Sequence, residues 1–247
     1  MPETQHPHAV IVGGTSGIGL ATASRLLRDG CRVTIAGRDK GRLDAALEQL
    51  QAAGGDAVSG QTVDAADRDA VGAFFAGLGP LDHLVVTATA PAGMAPVAEL
   101  AADRLRGAFD GKLLAHLACV QAALPSLAAD GSITLVSAAS ARGGLPGTAG
   151  LAAINGAIEA MVKPLAVELA PVRVNAVSPG FIDTPWWDWL PAGARAATFA
   201  QAASITPVGR VGRAEDVADA IAFLAGNTFT TGVVLPCDGG ALLRPAS

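Results

Sequence analysis

The run His8-Ala9-Val10-Ile11-Val12-Gly13-Gly14-Thr15-Ser16-Gly17-Ile18-Gly19 decides how the rest of the chain is read. A β-branched stretch, residues 8–13, passes directly into a glycine-rich turn, and residues 19–29 follow with apolar side chains at helical spacing. The glycines permit a tight turn and a close backbone approach, so the N-terminus of the coming helix can face a pyrophosphate. Such a turn is a weak signal alone and a stronger one between a first strand and a first helix. Gly13, Thr15, Ser16, Gly17, Ile18 and Gly19 are therefore candidate cofactor-binding residues.

Outward from that turn the alternation continues. Strand-like runs stand at 32–36, 56–63, 83–87, 132–137, 172–177 and 233–236, and helix-like segments at 40–53, 105–127, 152–169 and 214–224. Strand and helix in alternation imply a parallel sheet with right-handed crossovers, a doubly wound α/β fold of Rossmann type in a single domain. A chain of 247 residues fits one large domain, and 51% hydrophobic against 16% charged residues suits a sheet covered on both faces by helices. The net charge of −5 offers no basic footprint for nucleic acid. Cys31, Cys119 and Cys237 are odd in number and widely spaced, which supports neither a disulfide framework nor a zinc site, and no metal is expected. Residues 1–8 lack the regions of a signal peptide, and no uninterrupted apolar stretch of about 18 residues is present to span a bilayer. A cytoplasmic protein without membrane attachment is the expectation.

The spacing of the turn, glycine then three residues, glycine, one residue, glycine, resembles that of the short-chain dehydrogenase/reductase family, and the resemblance runs over almost the whole chain. Asn175-Ala176-Val177-Ser178-Pro179-Gly180, followed by Phe181-Ile182-Asp183-Thr184-Pro185, is similar to the family segment that packs against the nicotinamide. Val211-Gly212-Arg213-Ala214-Glu215-Asp216-Val217-Ala218 and Asp238-Gly239-Gly240 also match. The resemblance implies that Asp64 contacts adenine and that Ala88, Pro179, Gly180, Ile182 and Thr184 line the cofactor. It also implies dimers or tetramers formed through helices near 105–127 and 152–169, where Gly156, Ala157 and Ala160 permit close packing.

Cofactor choice is read at the end of the second strand. A carboxylate there would accept from the adenosine ribose and repel a 2′-phosphate, but the position is Gly37. Arg38, next in line, can offer a bidentate fork to a phosphate, and Lys40 and Arg42 add positive charge, so the reading is NADP(H). The alternative for Arg38 is a solvated loop charge.

The catalytic pattern of the resembling family fails here. Its proton-donating tyrosine falls on Leu151, its lysine on Asn155, its serine on Ala138 and its asparagine on Lys112; the chain contains no tyrosine. Leucine has no proton to give, whereas Asn155 can hydrogen-bond a ribose hydroxyl. Lys112 is a candidate donor if burial lowers its pKa, or else a structural residue held by backbone carbonyls. Arg142 could clamp an anionic group or stabilise an oxyanion, or be solvated. Ser140 is the better polar replacement for the missing serine, and His116 reads as a helix-interface residue.

All three tryptophans fall in Asp183-Thr184-Pro185-Trp186-Trp187-Asp188-Trp189, which opens an expected substrate lid at about 183–207. They suggest a wall for a flat or apolar substrate, or a cation-binding face with Asp183 or Asp188; the alternative is an anchor for the lid or a subunit contact. Leu151, Arg142, Asp183, Trp186 and Trp187 form the candidate substrate site for a small molecule. Three functions stay open: an NADP(H)-dependent oxidoreductase with a non-standard site, acting on an imine, iminium, activated carbonyl or conjugated acceptor; a silent NADP(H)-binding sensor or scaffold; and a non-redox cyclase or isomerase.

Overall fold

The computed structural model describes residues 6–89 and 93–243, so the part of the N-terminal reading that rests on residues 1–5 lies outside the described residues. In chain order the main elements are β1 (His8–Val12), α1 (Gly17–Arg28), β2 (Arg32–Gly37), α2 (Lys40–Gly54), β3 (Val58–Thr62), α3 (Arg68–Ala76), β4 (Leu81–Val86), α4 (Ala102–Ala108), α5 (Ala115–Ala123), β5 (Leu127–Val136), α6 (Ala149–Glu168), β6 (Arg173–Pro179), β7 (Ile182–Asp183), α7 (Ala192–Ile205), β8 (Gly212–Arg213), α8 (Ala214–Gly226) and β9 (Val234–Cys237). Seven strands pair in the order β3-β2-β1-β4-β5-β6-β9, all parallel. The order reverses beside β1, which places a crevice beyond the carboxyl ends of β1 and β4.

Both faces of the central strands are buried, which is why β1, β2 and β6 read as apolar runs rather than alternating ones, while the edge strands β3 and β9 stay partly exposed. One layer packs Val10, Val12, Leu84, Val86, Ile133 and Leu135 against Phe74, Phe75, Cys119, Ile158 and Val162. The other sets Ile11, Val33, Ile35 and Val177 against Leu26, Leu50, Val217 and Ile221. Each fully buried Leu, Ile or Phe contributes about 1.5–3 kcal/mol relative to exposure. Cys31 and Cys119 are buried members of these layers, and burial pushes their thiols up to about 11 and about 12. Helix α6 is long and apolar enough, by length and composition, to cross a membrane; here its Ile154, Ile158 and Val162 are buried in the protein.

Two buried polar residues close the far end of the sheet. Arg173 donates to the carbonyls of Leu224 and Ala225 at 2.6 and 2.7 Å, satisfying the C-terminus of α8 with a cation where the helix dipole favours one. Asn175 donates to the Thr230 carbonyl at 2.9 Å and accepts from the Val233 amide at 3.1 Å, which steers the chain into β9.

The expected long helix at 105–127 is interrupted. It starts at Ala102, widens into a π-helical turn over Phe109–Leu114, and resumes as α5. Such turns are rare and concentrate at functional sites; this one carries Lys112. Helices α3 and α7 and the small β7·β8 pair are additions to the elements read from sequence.

Candidate active site

A cleft of about 2400 Å³ opens along the carboxyl ends of the strands, lined by the glycine-rich turn, the ends of β2 and β3, the π turn, the β5–α6 loop and the segment after β6. At one end Gly13, Thr15, Ser16, Gly17, Ile18 and Gly19 form its wall. Ser16 is the N-cap of α1 but makes no side-chain cap, and the first turn carries no acidic residue. The initial N–H groups of a twelve-residue helix are thus free of internal competition for an anion. A Cβ at Gly19 would collide with the Gly13 carbonyl, so close approach of turn and helix requires glycine there.

Across the turn, a Cβ on Gly37 would meet Thr15 Cγ2 at 2.6 Å. The place of a ribose-binding carboxylate is therefore filled by the turn itself. Arg38 and Arg42 line the cleft instead, and among the described residues their guanidinium groups make no ion pair or hydrogen bond. Lys40 corrects the sequence reading: its ammonium pairs with Asp44 at 2.7 Å along the face of α2 and does not line the cleft. Asp39 caps α2, accepting from the Arg42 amide at 2.8 Å, and Asp64 lines the cleft while accepting from the Ala66 amide at 3.1 Å. Ala88, Pro179, Gly180, Ile182 and Thr184 lie along the same wall.

Midway along the cleft, side chains far apart in sequence converge. Lys112 donates to Asn155 Oδ1 at 2.7 Å and reaches the Ser137 carbonyl at 3.5 Å. Asn155, buried on α6, donates from Nδ2 to Ser140 Oγ at 3.1 Å and to the Leu151 carbonyl at 2.9 Å. One amide thus orients an ammonium and a hydroxyl at once. Burial holds the Lys112 ammonium down to about 8, because no carboxylate accompanies it into the floor. Leu151 and Ala138 add apolar surface to the wall.

A protein described as a short-chain dehydrogenase/reductase from Stachybotrys chlorohalonatus is 34% identical over 255 residues, covering 99% of this chain and 100% of its own. The chain belongs to the short-chain dehydrogenase/reductase family. A family model described as enoyl-(acyl carrier protein) reductase matches residues 12–241. The cis-4-hydroxycyclohexanecarboxylate dehydrogenase of Sinomonas cyclohexanicum is 37% identical over 94% of this chain and 95% of its own. A crystal structure of a small-chain dehydrogenase in complex with NADPH superposes with a TM-score of 0.85 at 36% identity, covering 97% of this chain and 100% of that one.

In this short-chain dehydrogenase/reductase a further carboxylate, Glu159, sits one helical turn beyond Asn155. Its Oε1 accepts from Ser137 Oγ at 2.9 Å and Ser178 Oγ at 2.8 Å, and its Oε2 lies 3.2 Å from Arg142 Nε. Sequence reasoning missed it, since a lone glutamate on an apolar helix resembles a solvated break until three other segments supply its partners. Ser137, just past the end of β5, commits its hydroxyl to Glu159 while its carbonyl faces Lys112 in the cleft.

His116 is fully buried beneath the π turn, and its Nδ1–H donates to the Lys112 carbonyl at 2.7 Å, which leaves Nε2 without a partner among the described residues. Burial, assisted by the nearby Lys112 charge, holds this imidazole down to about 3. The folded protein therefore keeps His116 neutral while an unfolded chain takes up a proton near pH 6.5, so stability falls as pH drops from about 6.5 toward 3. His116→Met should flatten that part of the acid limb of a stability–pH curve; an unchanged limb would place the loss elsewhere, His8 and His83 being the other depressed histidines.

The tryptophan segment divides in two. Trp187 is nearly buried, stacks on Phe181 at 5.5 Å and donates from Nε1 to the Ile182 carbonyl at 2.9 Å, so it anchors the segment and only borders the cleft. Trp186 lines the cleft as expected, and the half-exposed Trp189, not singled out in sequence, lines it too. Asp183 is a correction. It and Asp188 are drawn onto Arg195, at 2.6 and 2.9 Å, and border a separate small pocket rather than the substrate wall. The tail also contributes: Asp238 accepts from the Gly240 and Leu242 amides at 2.9 and 3.3 Å, turning Ala241, Leu242 and Leu243 over the opening.

Proposed function

We propose that the protein is an NADP(H)-dependent oxidoreductase whose site lacks the family's asparagine, serine, tyrosine and lysine set and uses Lys112 as proton donor to an activated carbonyl, a neutral imine or a conjugated acceptor. The observation that carries this reading is the 2.7 Å hydrogen bond between Lys112 and Asn155. Relative to the family pattern, lysine and asparagine have exchanged places, and here they meet in a direct ammonium–amide hydrogen bond, in a cleft where leucine stands at the tyrosine position.

The cofactor reading rests on the open N-terminus of α1, the steric exclusion of a side chain at Gly37 and the unengaged guanidinium groups of Arg38 and Arg42. The NADPH-bound relative supports the same choice. Gly13, Thr15, Ser16, Gly17, Ile18, Gly19, Asp64, Ala88, Pro179, Gly180, Ile182 and Thr184 would complete the holding surface. Bound there, NADPH supplies the hydride.

The remaining work falls to the chain. Lys112 has three N–H bonds and two protein acceptors, so one N–H is left for a substrate oxygen or nitrogen. A value near 8 keeps it protonated at neutral pH while making it a far better acid than an ordinary lysine. Ser140 receives the Asn155 amide on its oxygen, so its own O–H is free to polarise the same substrate atom. Leu151 excludes water beside them. In the oxidative direction neutral Lys112 would take the proton back.

Residues 183–207 form the lid in this reading, latched where Arg195 donates to Asp183, to Asp188 and, at 3.3 Å, to the Thr184 carbonyl. A homodimer or homotetramer is inferred from the exposed apolar residues Leu114 and Val167 on the α4–α6 surfaces, and a cytoplasmic setting from the unpaired cysteines. The test of the redox step is deuterium transfer. With NADPH labelled at the transferring position, a turned-over ketone, imine or enone should carry one deuterium stereospecifically, and product without label would overturn the assignment.

A further inference from the structure

We infer that the substrate carries a carboxylate and that Arg142, held in place by Glu159, is the residue that binds it. The inference rests on the functional reading above and narrows its substrate class. Among the described residues lining the cleft, the charged ones fall in two groups. Arg38, Asp39, Arg42 and Asp64 stand at the ends of β2 and β3, at the cofactor end; Lys112 and Arg142 are the only charged residues at the other. The two carboxylates nearest the tryptophans, Asp183 and Asp188, are taken by Arg195 outside this wall. The substrate half of the cleft therefore presents cations and an apolar wall of Met94, Leu145, Trp186, Trp189 and Leu242, which disfavours a cationic electrophile.

Arg142 is held by an ion pair. It follows a single 3-10 turn, Ala139–Ala141, and its Nε lies 3.2 Å from Glu159 Oε2. Glu159 is pinned in turn by the hydroxyls of Ser137 and Ser178 on its other oxygen, from the ends of β5 and β6. The Glu159 side chain is 12% exposed while that of Arg142 is 41% exposed, so the carboxylate anchors from behind and the guanidinium faces the opening. Among the described residues the Nη groups of Arg142 make no hydrogen bond, and that free planar pair matches a carboxylate bidentately. Glu159 is then a positioning residue, acting through Arg142.

The experiment uses the full chain with NADP⁺ and a panel of oxo acids, levulinate, benzoylpropionate and oxocyclohexanecarboxylate, each paired with its methyl ester. Binding is read by tryptophan fluorescence, since Trp186 and Trp189 line the cleft. At least one acid should bind tighter than its ester, and Arg142→Met should cost that acid roughly 10- to 100-fold in affinity while leaving the ester unchanged. Glu159→Gln should weaken the acid selectively by a smaller factor; a merely structural role would weaken acid and ester alike. Equal acid and ester binding across the panel, no binding included, or an acid preference that survives Arg142→Met, overturns the inference. Failure of hydride transfer from NADPH, by contrast, strikes the redox reading and is measured separately.

Discussion

Replacing Lys112 with methionine is expected to lower kcat about 10²- to 10⁴-fold, the range a general acid contributes, with NADPH binding retained. Methionine keeps most of the stem and removes only the donor. The protein should not unfold in consequence. Burial lowers this lysine from 10.5 to about 8, so between those values the unfolded chain binds more protons and stability rises with pH; below about 8 the fold carries the desolvated charge. At pH 7 the methionine variant should therefore melt no lower than the parent protein. Lys112→Arg keeps the charge without releasing a proton and separates the two contributions: recovery by arginine would mean electrostatic stabilisation alone. Unchanged kcat in the methionine variant would remove Lys112 from the chemistry.

Arg38→Ser should weaken NADPH about 10- to 100-fold and leave NADH nearly untouched, because a charge-assisted fork to the 2′-phosphate is lost while nothing else in the cradle changes. Parallel fluorescence titrations with both nucleotides give the answer. The geometry makes the effect specific: a side chain at Gly37 would collide with Thr15, so the family's usual place for a ribose-binding carboxylate is closed and Arg38 is left facing the cleft. Equal losses for both nucleotides would show that Arg38 acts on the loop rather than on the phosphate, and Arg42, also lining the cleft, would become the discriminating cation.

The central strands were legible in the sequence because they are buried on both faces. Strands such as Val33–Ala36 and Ile133–Val136 lose solvent on every side, so continuous β-branched runs mark them with little ambiguity. Helix α7 was not legible, since Ala192–Ile205 is half alanine and buries only Ala202, leaving no apolar period to detect. Helix α3 did leave a sign in Asp67, whose side chain accepts from the Asp69 and Ala70 amides. The π turn at Phe109–Leu114 is invisible to periodicity, which registers residues per turn only on average.

The candidate site was half legible for a related reason. Glycines, Arg38 and the absent tyrosine are local facts. The Lys112–Asn155 bond joins residues 43 positions apart, and the Glu159 cluster joins the ends of two strands to a helix and a loop. No spacing rule announces such contacts. Asp183 shows the opposite error: beside three tryptophans it resembles a cation site, until Arg195, twelve residues on, takes it away.

The most direct test of Lys112 as the proton donor is the pH dependence of kcat/KM for NADPH-driven reduction. With a donor whose value lies near 8, the rate should hold below that pH and fall about tenfold per unit above it, as the ammonium gives up its proton. Lys112→Met should leave a low residual rate that lacks this limb. A parent profile flat through pH 9.5, or a residual profile in the variant with the same limb, would contradict the assignment and return the proton to water or to another group.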